Sequence, residues 1–141
     1  MLNQPIISIK SIPPEATYPL RHRVLWPDKP LAYVRVEDDA RGYHYGAFDG
    51  SELVAVISLF VKDGVARFRK FATHPDYQRQ GIGSRLLEQV IEEARAQGAH
   101  TLWCDARQEA ADFYRKFGME TTGAPFYKGS VVYHRMQRSL G

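Results

Sequence analysis

The sequence predicts a mixed α/β domain built in layers, and three observations carry that prediction. Two Asp-Gly pairs, Asp49-Gly50 and Asp63-Gly64, stand between apolar runs and read as consecutive hairpin turns. From Gly81 to Ala96, Ile82, Leu86, Val90 and Ala94 recur at every fourth position with Leu87 and Ile91 beside them, which is the pattern of an amphipathic helix. Beyond that helix, strand-like and helix-like segments alternate. Hairpins followed by alternating elements give one sheet with helices packed on it.

The elements follow in order. Ile6 to Ile12 reads as a strand ended by Pro13-Pro14. Glu15 to Leu25 places Leu20, Val24 and Leu25 on one side of a helix, which Pro27 stops. Residues 27–42 have no clear period and read as a loop with a helical turn. Tyr43 to Phe48, Leu53 to Val61 and Val65 to Thr73 form three antiparallel strands around the two turns. Gly98 closes the long helix. Thr101 to Asp105 is a short strand, Gln108 to Phe117 a helix closed by Gly118, and Val131 to Met136 the last strand.

A chain of 141 residues is expected to form a single domain, residues 1–141. The formal charge of +3 tolerates anionic ligands, but no Lys/Arg block suggests a nucleic-acid arm, so no nucleic-acid partner is expected. The N-terminal stretch lacks an apolar leader core, and no apolar run nears the roughly 18 residues that span a membrane. No membrane association and a cytoplasmic location are the expectation. The lone Cys104 excludes an internal disulfide. His22, His44, His74, His100 and His134 show no metal-ligand spacing, so no metal is expected.

One stretch asks for a chemical explanation. FATHPDYQRQGIGSRLL, Phe71 to Leu87, sets Gly81 and Gly83 where a helix begins. Glycine is not needed to cap a helix; it is needed where something must approach the backbone closely. The first N–H groups of a helix lack internal partners and sit at the positive end of its dipole. A phosphate fits there, with Arg79 adding charge. A turn that merely tightens strand-helix packing is the alternative. Gly83 is followed by Ser84-Arg85, which excludes a P-loop. Leu86 occupies the position of the third small residue of a dinucleotide fingerprint, which argues against that motif too.

Gln78-x-x-Gly81-x-Gly83, after a strand ending in Ala72-Thr73-His74-Pro75, resembles the acyl-CoA-binding motif of the GNAT N-acetyltransferases. A second segment, Arg107 to Met119, resembles the family's Ala-x-x-Phe-Tyr-x-x-x-Gly-Phe helix, with Met119 in place of Phe. The resemblance covers residues 43–123 well. It implies a twisted, mostly antiparallel sheet flanked by helices, whose fourth and fifth strands splay apart to admit acetyl-CoA as co-substrate.

The resemblance also implies roles. The backbone of Phe71, Ala72 and Thr73 would pair with the pantetheine arm. The N–H groups of Arg79, Gln80, Gly81, Ile82, Gly83 and Ser84 would hold the pyrophosphate. A backbone N–H at Phe71 or Ala72 would polarise the thioester carbonyl, where charge develops. Tyr114 stands where many members protonate the leaving thiolate. Full transfer from a Tyr near pKa 10 to a thiolate near 8.5 is uphill by roughly 2 kcal/mol, so a hydrogen bond describes the role better. Arg107 replaces an Asn that usually touches pantetheine and could reach a phosphate instead.

Some route must deprotonate the acceptor. An amine of pKa about 10.4 is protonated at pH 7 with a deficit of roughly 4.6 kcal/mol. Where the histone-acetylating branch has a Glu base, this chain has Arg67, and Arg cannot serve. His74, Asp105 and His44 are the remaining candidates. Arg67, Arg69 and Lys70 crowd one strand, either for an acceptor bearing a carboxylate or phosphate or as a solvated, ion-paired face. Asp38-Asp39 reads as a charged loop. Trp26, Tyr33, Phe126 and Tyr127 fall where acceptor walls form in the family, and Cys104 reads as a buried strand residue. The implied activity is N-acetylation of a small-molecule or peptide amine by direct attack, with a monomer or homodimer as the active form. A non-catalytic acyl-CoA-binding module is the second reading.

Overall fold

The structure, a computed structural model, describes residues 6–141; the start of the stretch read as lacking a leader lies outside them. Seven strands form one sheet in the order β1-β2-β3-β4-β5-β7-β6. They are β1 (Ile7–Ser11), β2 (Tyr43–Asp49), β3 (Glu52–Lys62), β4 (Val65–Thr73), β5 (Thr101–Arg107), β6 (Glu120–Lys128) and β7 (Val131–Ser139). All neighbours are antiparallel except β4 and β5. Both expected hairpins form, the first turning one residue later than Asp49-Gly50, on Gly50 and Ser51 with Asp49 paired to Glu52, and the second on Asp63-Gly64. Asp63 and Gly64 both take positive φ, 52° and 78°, the requirement of a two-residue turn that continues the strand twist.

One face of the sheet carries the main core. Helix α2 (Ile82–Ala96) buries Ile82, Leu86, Leu87, Val90, Ile91 and Ala94 against Ile57, Leu59, Phe68 and Leu102. Each such side chain contributes about 1.5–3 kcal/mol relative to exposure. The short α3 (Ala111–Arg115) packs Ala111 and Tyr114 into the same core. On the opposite face Leu20, Val24 and Leu25 meet Val56 and Ala72. They come from the predicted first helix, which is not a uniform α-helix. A 3₁₀ turn (Pro14–Thr17), the single turn α1 (Tyr18–Leu20) and a π turn (Arg21–Leu25) follow one another. Among the described residues no helix is long and apolar enough to cross a membrane.

The end of the chain differs most from expectation. The last strand runs on to Ser139 and pairs with β6, which the pattern did not show. β6 is an edge strand, largely exposed, with Gly123 and Pro125 where its pairing is interrupted between Thr122 and Phe126. An edge strand with a Pro and little burial carries no clear alternation. The predicted helix from Gln108 is a 3₁₀ turn (Gln108–Ala110) leading into α3.

Candidate active site

β4 and β5 are joined only at Val65–Thr101, Ala66–Leu102 and Arg67–Trp103. Beyond Arg67 they part. On its other side β4 meets β3 through a bulge: Ser58 opposes Arg69 and Val56 opposes Ala72, so Lys70 and Phe71 together face Ile57. Lys70 takes a left-handed φ of 56° to do so. Such a bulge re-aims side chains and bends the strand. The wedge between the strands is a cavity of about 140 Å³, with β4 on one wall, β5 on the other and Tyr114 of α3 among its lining.

Phe71 and Tyr114 both line this cleft, their ring centroids 6.4 Å apart. Ala72 and Thr73 continue β4 beyond the point where β5 leaves it. The Tyr114 side chain is nearly buried, and its hydroxyl makes no hydrogen bond to protein among the described residues. Burial, with Cys104 beside it, pushes the phenol well above its ordinary 10.0. Proton transfer to a thiolate is then still more uphill, while hydrogen-bond donation is undiminished.

At the start of α2 the two glycines answer different needs. Gly81 has φ 80°, and a Cβ built there would meet nothing within 4 Å. Arg79 is left-handed as well, with φ 63°. Gly83 has ordinary helical backbone, but a Cβ there would stand 3.3 Å from Phe71 Cζ. Both sequence-level readings therefore have a place: open backbone at Gly81, tight helix-strand packing at Gly83. Gly81 caps the helix without a side chain, and Arg85 is the first residue whose N–H reaches a helical carbonyl, Gly81 O at 3.3 Å. Among the described residues the N–H groups of Ile82, Gly83 and Ser84 have no backbone partners, and the Ile82 side chain is buried. Gln80 donates to Asp76 O at 3.2 Å and shapes the loop.

The cleft is strongly basic. Arg67, Arg69, Lys70, Arg107 and Lys128 line it, with Asp105 as the one carboxylate. Asp105 accepts from Arg67 Nη2 at 3.0 Å and Arg135 Nε at 2.9 Å, and both guanidinium groups lie over Trp103, at 4.1 and 4.2 Å. Arg107 donates to Leu25 O at 2.8 Å and lies 5.2 Å from the Trp26 ring. The structure thus ties Arg107 to Leu25 and Trp26. Burial, then the charge of Arg69, pushes Lys70 down to about 8, and burial pushes Arg67 down to about 10.

None of the three candidate bases stands free in this cleft. Asp105 lines it but is held between two arginines. His44 is buried, its Nδ1 on Ser58 Oγ at 2.7 Å and its Nε2 on Asp39 O at 2.7 Å. His74 Nδ1 accepts the Asp76 N–H at 3.0 Å. Cys104 also reaches the cleft, but burial pushes its thiol up to about 12, so it stays protonated. Among the aromatic wall candidates Trp26 lines the cleft, and Tyr33 packs against it at 5.3 Å. Phe126 stacks on Tyr133, and Tyr127 is exposed. Phe68, Ala110, Lys128 and Tyr133 are wall residues that sequence reasoning missed; only the period-2 register of the last hairpin could have named the last two.

The acetyltransferase (GNAT) family model matches residues 9–119. The chain belongs to this family. It is 31% identical over 130 residues to the uncharacterized N-acetyltransferase YitI of Bacillus subtilis, covering 86% of this chain and 87% of that one. The GNAT fold is shared with the ribosomal-protein-S18-alanine N-acetyltransferase of Escherichia coli, at TM-score 0.78 and 23% identity over 96% of this chain and 94% of that one. A GNAT acetyltransferase from Elizabethkingia anophelis with acetyl-CoA bound superposes at TM-score 0.73 with 20% identity, over 94% of this chain and 97% of that one. The protein is an acetyltransferase with the family's splayed sheet.

Proposed function

We propose that the protein transfers acetyl from acetyl-CoA to the primary amine of a small molecule or peptide by direct attack through a tetrahedral intermediate. One observation carries the reading. β4 loses its β5 partner after Arg67, and the same strand leads to a helix N-terminus whose N–H groups have no backbone partner. An unpaired strand edge suits the amide-bearing pantetheine arm, and an open helix N-terminus suits a pyrophosphate. In this reading Phe71, Ala72 and Thr73 pair with the arm, and Arg79 to Ser84 hold the phosphates. A backbone N–H at Phe71 or Ala72 stabilises the oxyanion, and the Tyr114 hydroxyl donates to the departing sulfur.

The absence of a free base among the three candidates is answered by the burial and the positive charge of the cleft. Positive charge nearby disfavours an ammonium ion. Lys70 is an internal gauge: burial first, and then the charge of Arg69, brings its ammonium down to about 8 from 10.5. At pH 7 that reduces the deprotonation deficit from roughly 4.8 to about 1.4 kcal/mol. An acceptor amine in the same surroundings needs only water to take its proton.

Calorimetric titration with acetyl-CoA, CoA, dephospho-CoA and ATP tests the first step. Selective binding of acetyl-CoA and CoA is expected, followed by thiol release with amines. No binding of either would sink the proposal, and binding without turnover across amines would favour the non-catalytic module. Gly81→Ala sharpens the test. A left-handed Ala costs about 1–2 kcal/mol, the exposed loop relaxes to avoid it, and binding must restore it. Acetyl-CoA affinity should fall about tenfold with the circular dichroism unchanged. Unaltered affinity would remove the loop at Gly81 from the binding site.

A further inference from the structure

Of the five basic side chains in the cleft, two are already engaged. Arg67 is paired with Asp105 and stacked on Trp103, and Arg107 is held by Leu25 O and Trp26. The other three, Arg69, Lys70 and Lys128, make no salt bridge among the described residues. Asp105, the carboxylate that lines the cleft, is ion-paired to Arg67 and Arg135 and to none of these three among the described residues. Lys128 lies against the Tyr133 ring, 4.6 Å from its centroid.

These three cations are brought together by the fold. The bulge in β4 breaks the strict alternation after Arg69, and the charges that act on Lys70 are those of Arg69, Lys128, Arg21 and Asp39. Lys128 arrives from the far end of β6, next to the turn into β7. Crowding like charges in a half-buried cleft costs free energy, which a bound anion returns. The place is separate from the proposed pyrophosphate cradle, since no residue from Arg79 to Ser84 lines this cavity. Its volume of about 140 Å³ suits a small group rather than a polymer.

We propose that Arg69, Lys70 and Lys128 form an anion subsite, and that the acceptor carries a carboxylate or a phosphate a few bonds from its amine. This rests on the acetyl-transfer reading for the role of the amine, but not for the anion.

Both tryptophans of the chain flank the site, Trp26 in its lining and Trp103 under Arg67, so their fluorescence reports on it without turnover. Succinate and inorganic phosphate, titrated at constant ionic strength against chloride, are expected to give a saturable change. Arg69→Gln and Lys128→Met should each weaken it at least about tenfold, the value of one lost charge-assisted contact. A flat titration with both anions overturns the subsite, as does an unchanged response in both variants. Turnover then separates the two sources of charge. β-Alanine is compared with β-alaninamide, and O-phosphoethanolamine with ethanolamine, at saturating acetyl-CoA. The anionic member of at least one pair should have the larger kcat/KM, through KM, and Lys128→Met should abolish the preference; preference for the neutral members overturns the proposal. If none turns over, the fluorescence result decides. Loss of acetyl-CoA binding with the anion response intact would sink the acetyl-transfer reading alone.

Discussion

Tyr114→Phe is expected to lower kcat roughly 10²-fold while leaving acetyl-CoA affinity and thermal stability close to wild type. The hydroxyl has no protein partner among the described residues, so its removal strands no buried donor or acceptor. The ring stays, and with it the packing against Phe68 at 5.4 Å and Phe113 at 5.4 Å. What is lost is the group that the proposed mechanism uses as donor to the leaving sulfur. Because burial holds the phenol well above 10.0, the group acts as a donor that keeps its proton. Stopped assays of CoA release with an amine from the turnover screen give kcat. An unchanged kcat would mean that the thiolate leaves without Tyr114, and that the residue serves packing only.

The second large effect lies away from the chemistry. Asp39→Asn is expected to cost about 3–5 kcal/mol of stability, roughly a 10–15 °C drop in Tm for a domain of this size. Arg21 is fully buried and forks onto Asp39, with Nη1–Oδ2 at 2.8 Å and Nη2–Oδ1 at 2.9 Å. The same guanidinium donates to Val34 O at 3.0 Å and Ser58 Oγ at 2.9 Å. Neutralising Asp39 leaves that guanidinium buried without its counter-charge. The effect reaches the cleft, because Arg21 opens the turn that carries Leu25 to its wall, next to Trp26.

The pH dependence has a definite sign. Burial raises the Asp39 pKa, but hydrogen bonds from Arg21 and the Val36 N–H, with the Arg21 charge, outweigh it and hold the carboxyl below its ordinary 3.8. A depressed folded pKa gives stability that is complete above the unfolded value and is lost as pH falls through the folded one. The difference between wild type and Asp39→Asn should therefore be constant from pH 5 to 8 and shrink below about pH 4. Urea unfolding across that range measures it. A difference that grows on acidification would contradict the depressed pKa.

Asp39 shows what a sequence hides. Asp38-Asp39 reads as two charges in a loop, and nothing local says that one is buried. Arg21, eighteen positions away, is its partner only after the loop folds back over the sheet. Asp105 and Arg67 are similar: thirty-eight positions apart, they meet because β4 and β5 are still adjacent at that level. Lys128 and Tyr133 join the cleft through a hairpin whose edge strand has no readable period. The first helix was visible from Leu20, Val24 and Leu25, but its change from 3₁₀ to α to π turn was not, because apolar spacing over so few residues does not distinguish those windings.

The first two hairpins, the long helix, the layered fold and the GNAT resemblance are legible in the amino-acid order alone. Each rests on local rules: left-handed turn residues, a four-residue apolar repeat, glycines at a helix start. That order also named Phe71, Arg107 and Tyr114, which the fold brings to one cleft. Which charges are paired and which stand alone follows from the folded chain and from nothing local. Arg67 and Arg69 are two positions apart on one strand and equivalent in sequence. One meets Asp105 and Trp103; the other lines the cleft with no counter-ion among the described residues. Charge pairing depends on distances of a few ångströms between distant segments, and those distances exist only once the strands are in register and have splayed apart.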